Sequence, residues 1–300
     1  MLRLKLKQIL LLLVSTVSIV GYASSHHHSE AEFVAEKITD SLYFLVGGDG
    51  GNIAVLVGDD GLLVVDNGYK HRSKALKKAL HALGGENSLE YIVNTHWHGD
   101  HAEGNLALGH GVSIVAHNNV RNRLQQANEI KLFGMKSEPY PEHALPNISY
   151  SKQMNLYVND EELSLMHVGR GHTDGDSVVF FKNANAVHMG DLFFNESFPF
   201  VDVDNQGNVL SVINSLESLL EYINDDAIVI PGHGPLATKA KLIDFLAMLK
   251  GTAEEVKAMQ AQGLSLKDMQ EKGLSEKWSA WGNAVFSEEL WIQLIAASLK

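Results

Sequence analysis

The 300-residue chain contains no cysteine. That excludes disulfides, a thiol nucleophile and attachment to a membrane through a lipidated cysteine, so stability must come from a core. Positive charge is also scarce: 24 Lys and Arg face 36 Asp and Glu, a formal charge of −12. A surface this acidic argues against nucleic acid or anionic membrane as the main partner. It leaves room for a small-molecule substrate, even an anionic one, in a cleft that bound metal makes locally positive. No linker, low-complexity tract or repeat divides the chain, so a single large domain is expected.

The N-terminus reads differently from the rest. "MLRLKLKQILLLLVSTVSIVGYAS" has a basic start (Arg3, Lys5, Lys7), an apolar run from Ile9 to Val20, then small residues. That order describes a secretory signal peptide over residues 1–23, cut after Ala23. The competing reading is a membrane anchor, but the run is 12 residues, short of the roughly 20 that span a bilayer. Cleavage would take the formal charge from −12 to −15 and leave a periplasmic or secreted protein with no membrane attachment. "SSHHHSEAE" then begins a polar segment, residues 24–37, expected to be disordered; its three histidines could also pick up metal.

From residue 38 the pattern alternates short strands and helices. "GNIAVLVGDDGLLVVDNG" is a hairpin turning at DDG, and "SKALKKALHALGG" an amphipathic helix ending at Gly84–Gly85. "LEYIVNT" and "GVSIVAH" read as strands, "NNVRNRLQQANEIK" as a helix, and Phe133 to Pro146, with three prolines, as a surface loop. The second half repeats the style. Hairpins turn near Asn159–Asp160 and Asn183–Asn185, then come a helix in "GNVLSVINSLESLLEYIN", a strand in "DAIVIPGHG" and a mostly helical tail from Lys239. Strand groups followed by helices, twice over, suggest an α+β fold with two sheets sandwiched between helices over residues 38–300, ending in a helical extension.

Polar residues gather where strands end. "NTHWHGDHAEGN" offers His96, His98, Asp100 and His101; "GRGHTDGD" offers His172, "VHMGDLFF" Asp191 and "VIPGHGP" His233. Glycines (Gly171, Gly190, Gly232) stand beside the last three, allowing close backbone approach. Five imidazoles and two carboxylates suit a borderline divalent ion, zinc first, with manganese, iron or nickel as alternatives. Seven ligands are too many for one tetrahedral ion and suit two. His96, His98 and His172 could hold one ion and Asp100, His101 and His233 the other, with Asp191 between, because a carboxylate can bridge two ions and an imidazole cannot. The remaining histidines (His71, His81, His110, His117, His143, His167, His188) lack such company and read as structural or surface groups. Trp97 faces a wall of the site or the core.

The order "HWHGDH", "GHT", "MGD", "PGHG" resembles the metallo-β-lactamase superfamily over residues 38 to 250. The resemblance implies an αββα four-layer sandwich and the same metal assignment. It also implies that Asp66, in "LLVVDNG", supports the metal-binding loop; a turn aspartate capping a strand end is the other reading.

Two divalent ions lower the pKa of a shared water, giving a bridging hydroxide near neutral pH that can attack a β-lactam, lactone, ester or thioester carbonyl. Asp100 is the catalytic candidate, orienting that nucleophile or shuttling its proton. Phosphodiester or sulfate ester hydrolysis, and a non-catalytic periplasmic metal-binding module, are the alternatives. "HAEGN" and export resemble the lactamase branch, whose activity is possible here. Yet Asp191 stands where some lactamases have a cysteine ligand, and Phe194 where they carry a substrate-binding lysine. The aspartate resembles that of glyoxalase II, lactonases and other exported hydrolases. Flavin-linked di-iron enzymes of the fold usually have glutamate where this chain has His98. "FFNESFPFVDVD" (Phe193 to Asp204) either walls the substrate site or packs into the core. Trp278, Trp281 and Trp291 are expected in helices packed on the sandwich rather than on a partner surface.

Overall fold

A computed structural model describes residues 32–300 apart from 48, 86, 284 and 285. The expected leader, residues 1–23, and the three adjacent histidines that follow it lie outside the described residues. The first half runs β1 (Val34–Lys37), β2 (Leu42–Val46), β3 (Ile53–Gly58), β4 (Gly61–Val65), α1 (Ser73–Gly84) and β5 (Leu89–Asn94). Next come α2 (Gly99–Ala102), α3 (Asn105–Leu108), β6 (Ser113–His117), α4 (Asn118–Leu124), β7 (Asn128–Ile130), β8 (Met135–Ser137) and β9 (Ile148–Tyr150). The second half contributes β10 (Gln153–Val158), β11 (Glu161–His167), β12 (Ser177–Phe181), β13 (Ala186–His188), α5 (Val209–Leu219), β14 (Ile228–Ile230) and β15 (Ala237–Thr238). Three helices follow: α6 (Lys239–Ala261), α7 (Leu266–Lys272) and α8 (Glu288–Ser298).

Seven strands form one sheet in the order β1-β2-β3-β4-β5-β6-β9, and six form the other, β10-β11-β12-β13-β14-β15. Side-chain alternation explains how they stack. Along β4, Leu63 and Val65 face the second sheet, meeting Leu163, Leu165, Val179 and Phe181 in one apolar layer. Leu62 and Val64 face the other way, against Leu76 and Leu80 of α1. The outer face of the second sheet, with Val178, Phe180 and Val187, packs under α5, α6 and α8. The αββα sandwich follows directly from these two alternating faces. The β10–β11 turn shows how local the encoding can be: Asn159 and Asp160 have φ of 54° and 58°, the paired left-handed geometry that two-residue hairpins need and that Asn and Asp tolerate.

Three expectations are corrected. The segment read as disordered through residue 37 ends in β1, which pairs antiparallel with β2 through backbone alone, its four side chains all exposed. The helix after β6 stops at Leu124; Asn128 caps its end by donating to the Arg123 carbonyl and starts β7. The stretch read as loop from Phe133 contains β8, which pairs with β7 to make a two-stranded hairpin. The tryptophans follow the packing reading: Trp291 is fully buried and stacks on Phe198. Among the described residues no helix is long and apolar enough to cross a membrane.

Candidate metal centre

All seven expected ligands converge at one end of the sandwich, where β5, β11, β13 and β14 finish. Their donor atoms fall into two groups, each within 4.8 Å: His96, His98, His172 and Asp191, and Asp100, His101, Asp191 and His233. Asp191 belongs to both. Its Oδ1 lies 3.0 Å from His101 Nε2, and its Oδ2 lies 3.3 Å from His172 Nε2, 3.4 Å from His233 Nε2 and 3.8 Å from His96 Nε2. His96, His98, His101, His172 and Asp191 are buried. The side chains of His233 and Asp100 are 28% and 20% exposed, so they mark the mouth.

Four of the imidazoles are held from behind. His101 Nδ1 donates to Asp66 Oδ2 at 2.7 Å, His98 Nε2 to Asp202 Oδ2 at 3.0 Å and His172 Nδ1 to the Phe200 carbonyl at 2.8 Å. His96 Nδ1 lies 3.0 Å from Thr95 Oγ1, whose own proton goes to Asp66 Oδ2 at 2.8 Å. With its outer nitrogen donating, each ring turns its other nitrogen inward, the one a metal ion would bind in place of a proton. Asp66 therefore orients one imidazole of each group, His101 directly and His96 through Thr95. It does so from a left-handed backbone, φ 61°, a conformation that suits aspartate better than most residues.

Electrostatics divides the two groups. Burial holds His96 well below the ordinary histidine range, helped by the neighbouring rings, and takes His172 down to about 4. His96 and His172 are thus neutral donors. At His101 and His233 burial pushes the same way, but Asp191 and Asp100 outweigh it; His101 rises well above its usual value and His233 to about 9. Burial alone would raise Asp100 and Asp191, yet the adjacent imidazoles hold both well below the carboxylate range. The carboxylate charge is balanced by imidazole protons, a task a divalent ion performs when bound.

The residues fit such ions on a second ground. His96 Nε2 and Asp191 Oδ1 are buried and make no hydrogen bond, a costly state for polar atoms unless a ligand satisfies them. Two glycines keep the space clear. A Cβ on Gly232 would fall on Asp191 Oδ1, and one on Gly51 would fall on the His101 ring.

Sequence reasoning named the seven residues that converge here, and Asp66 behind them, but missed several supports. Asp202 is the outer partner of His98, and its only sequence signal was a place in an aromatic loop. Asn52, just before β3 of the first sheet, donates to the carbonyls of Pro231 and Gly234 at 2.8 Å each, and so clamps the His233 loop of the second. Asn105, in "HAEGN", is buried and structural, bonding Asn94 and the Ala144 carbonyl. Trp97 lies edge-on to His98 with Arg123 over its ring. His188 is structural, accepting the Gly190 amide. The loop Phe193 to Asp204 divides: Phe193 and Phe198 are fully buried, whereas Phe194 stacks on His233 and Phe200 lies against His98 and His172.

A family model for the metallo-beta-lactamase superfamily matches residues 46–233. A curated relative, beta-lactamase-like protein 2 homolog of Caenorhabditis elegans, is 24% identical over 68% of this chain, which spans only 65% of that relative's length. Among solved structures, a metallo-beta-lactamase from Pontibacter korlensis is similar at TM-score 0.60 and 17% identity, covering 73% of this chain and 99% of its own. The stereoselective inverting sec-alkylsulfatase Pisa1 from Pseudomonas sp. is similar at TM-score 0.61 and 15% identity, over 89% of this chain and 50% of its own. These structural likenesses concern the fold.

Proposed function

Because the chain belongs to the metallo-β-lactamase superfamily, we propose that it is an exported hydrolase holding two divalent ions, zinc first among the candidates, and cleaving a carbonyl substrate such as an ester, thioester, lactone or β-lactam. The observation that carries this reading is the convergence of five imidazoles and two carboxylates around Asp191, four of the rings fixed by an outer partner. His96, His98 and His172 would hold one ion, Asp100, His101 and His233 the other, and Asp191 both. Bound there, the ions would supply Lewis acidity, lowering the pKa of water to about 7 and polarising the substrate oxygen.

The chain's own groups do the rest. Asp100 Oδ2 reaches the mouth 3.2 Å from His233 Nε2; it is the group placed to orient the attacking water, take its proton and pass that proton to the leaving oxygen, nitrogen or sulfur. The substrate acyl group gains the hydroxyl, and the leaving group departs protonated. His233, the most open imidazole, borders the entering substrate. Phe194 is buried and stacks on His233 behind the mouth, and as an uncharged side chain it offers nothing to a substrate carboxylate, which favours uncharged carbonyl substrates. Export rests on the order of residues 1–23.

Sulfate ester cleavage is the second reading, favoured by the breadth of the likeness to the sec-alkylsulfatase. The test is turnover by purified protein with zinc or manganese on a chromogenic cephalosporin, a glutathione thioester, an aryl ester, a lactone and a secondary alkyl sulfate. Turnover on any of the four carbonyl substrates upholds the proposal and ranks its members. Turnover confined to the sulfate replaces it with the second reading. Two bound ions with no turnover at all would make the protein a metal-binding module.

A further inference from the structure

Behind the His96–His98–His172 group stands Arg123, in the last turn of α4, its side chain 20% exposed. Its Nε donates to both oxygens of Asp174, in the loop that carries His172, at 3.2 Å, and its Nη2 donates to Asp174 Oδ2 at 2.9 Å. The rest of the fork goes to Asn205: Nη1 donates to the side-chain oxygen and Nη2 to the backbone carbonyl, each at 3.1 Å. The guanidinium also lies over the Trp97 ring, 5.7 Å from its centroid. Carboxylate, amide and indole together fix the plane of the fork, a constraint that a lysine ammonium on its flexible stem would not meet.

The fixed fork decides which way the Asn205 amide faces. A guanidinium offers no acceptor, so only the amide oxygen can meet it. The NH2 is thereby turned to acceptors: the Asp202 carboxylate at 2.9 and 3.1 Å and the Glu129 carbonyl at 3.1 Å. Asp202 Oδ2 in turn accepts His98 Nε2 at 3.0 Å, and the Asp202 amide donates to the His172 carbonyl at 2.9 Å. We propose that Arg123 is a positioning residue for the His96–His98–His172 group, acting through Asn205 and Asp202 on the His98 ring. The inference rests on the two-ion reading and gives one of the two ions a support of its own. None of these bonds leads to Asp100, His101 or His233.

The test uses Arg123→Lys, which keeps the charge and loses the fork, and Asn205→Ala, which leaves the Arg123–Asp174 pair in place and removes the amide. Zinc affinities are read by chelator competition, with melting curves recorded alongside. Both variants should weaken the same one of the two affinities that Asp202→Asn weakens, by about three- to tenfold, less than the loss of a direct partner costs. In the Asp202→Asn background either change should cost almost nothing more, because residues on one path couple. Equal weakening of both ions, or losses that simply add to that of Asp202→Asn, would reduce Arg123 to a structural clamp and overturn the inference. The second measurement is nitrogen-15 NMR of the metal-free protein. The proton on His98 Nε2 should exchange slowly with water in the wild type and faster in both variants, while that on His101 Nδ1, held by Asp66, keeps its rate. That pattern in a protein that binds no zinc would keep the positioning role and sink the two-ion reading. Zinc binding with the affinities unchanged in both variants would overturn the inference and leave the two-ion reading standing.

Discussion

Replacing Asp66 with asparagine tests whether the metal centre depends on the groups behind it. The change removes one charge, keeps the shape and suits the left-handed backbone, φ 61°, which asparagine tolerates. Asp66 Oδ1 accepts the Thr95 amide at 2.8 Å, and Oδ2 accepts both Thr95 Oγ1 at 2.8 Å and His101 Nδ1 at 2.7 Å. The backbone amide cannot rotate, so the asparagine oxygen must stay with it and the NH2 must take the Oδ2 place. That donor would face the His101 Nδ1 proton. The ring relieves the conflict by moving its proton to Nε2, which buries the lone pair an ion needs. Thr95 Oγ1, now an acceptor for the NH2, turns its proton to His96 Nδ1 and forces the same shift there. Loss of an outer partner costs about 10- to 100-fold in metal affinity, or about 1.4–2.7 kcal/mol per ion. Competition with a chromophoric chelator should therefore show both ions weakened, with the circular dichroism spectrum unchanged. Asp66→Gly, which keeps the backbone conformation and removes the carboxylate, should weaken binding as well. Two-ion binding at wild-type affinity in Asp66→Asn would refute the account.

Asp202→Asn should lower affinity by a similar factor at the His96–His98–His172 group while sparing the other ion, because Asp202 touches His98 and no ligand of the second group; equal loss at both would sink the division. Gly232→Ala should reduce binding to one ion or none by mass spectrometry, since its Cβ collides with Asp191 Oδ1. Acid sensitivity should trace partly to His117, which stacks on His167 with centroids 3.7 Å apart. Burial, with His167 beside it, lowers His117 to about 4. The unfolded chain then binds the extra proton first as pH falls, so stability present above about pH 6.5 is lost progressively toward pH 4. His117 also accepts the Asn119 amide as the cap of α4. His117→Asn keeps a capping oxygen and removes the titration, so its urea midpoint should fall less than wild type between pH 7.5 and 5; an equal fall would exclude this histidine as a cause.

The donors were legible because each sits in a short loop beside the strand that positions it, so chemistry and location appear within a few residues. The sandwich was legible because alternation along strands such as β4 records two buried faces. The supports were not. Asp202 and Asn52 reach the centre only through the tertiary fold, and nothing local distinguishes them from surface residues. β1 escaped notice because its side chains are all exposed, leaving no pattern to read in a strand made by backbone pairing. The β7–β8 hairpin escaped for a related reason. Its strands have three residues each, too few to show a period, and the prolines that follow suggested a loop.

Asp191 also governs the order in which the centre can come into being. Each donor group draws histidines from the loop after β5 and closes only with residues from the second sheet. A chain emerging from the ribosome presents His96, His98, Asp100 and His101 first, but neither group is complete before Asp191, and the second waits for His233. Neither set of donors could therefore close on an ion before the second sheet has been made. An ion held between these loops would tie the two sheets together, so that the halves of the sandwich could not part without releasing it.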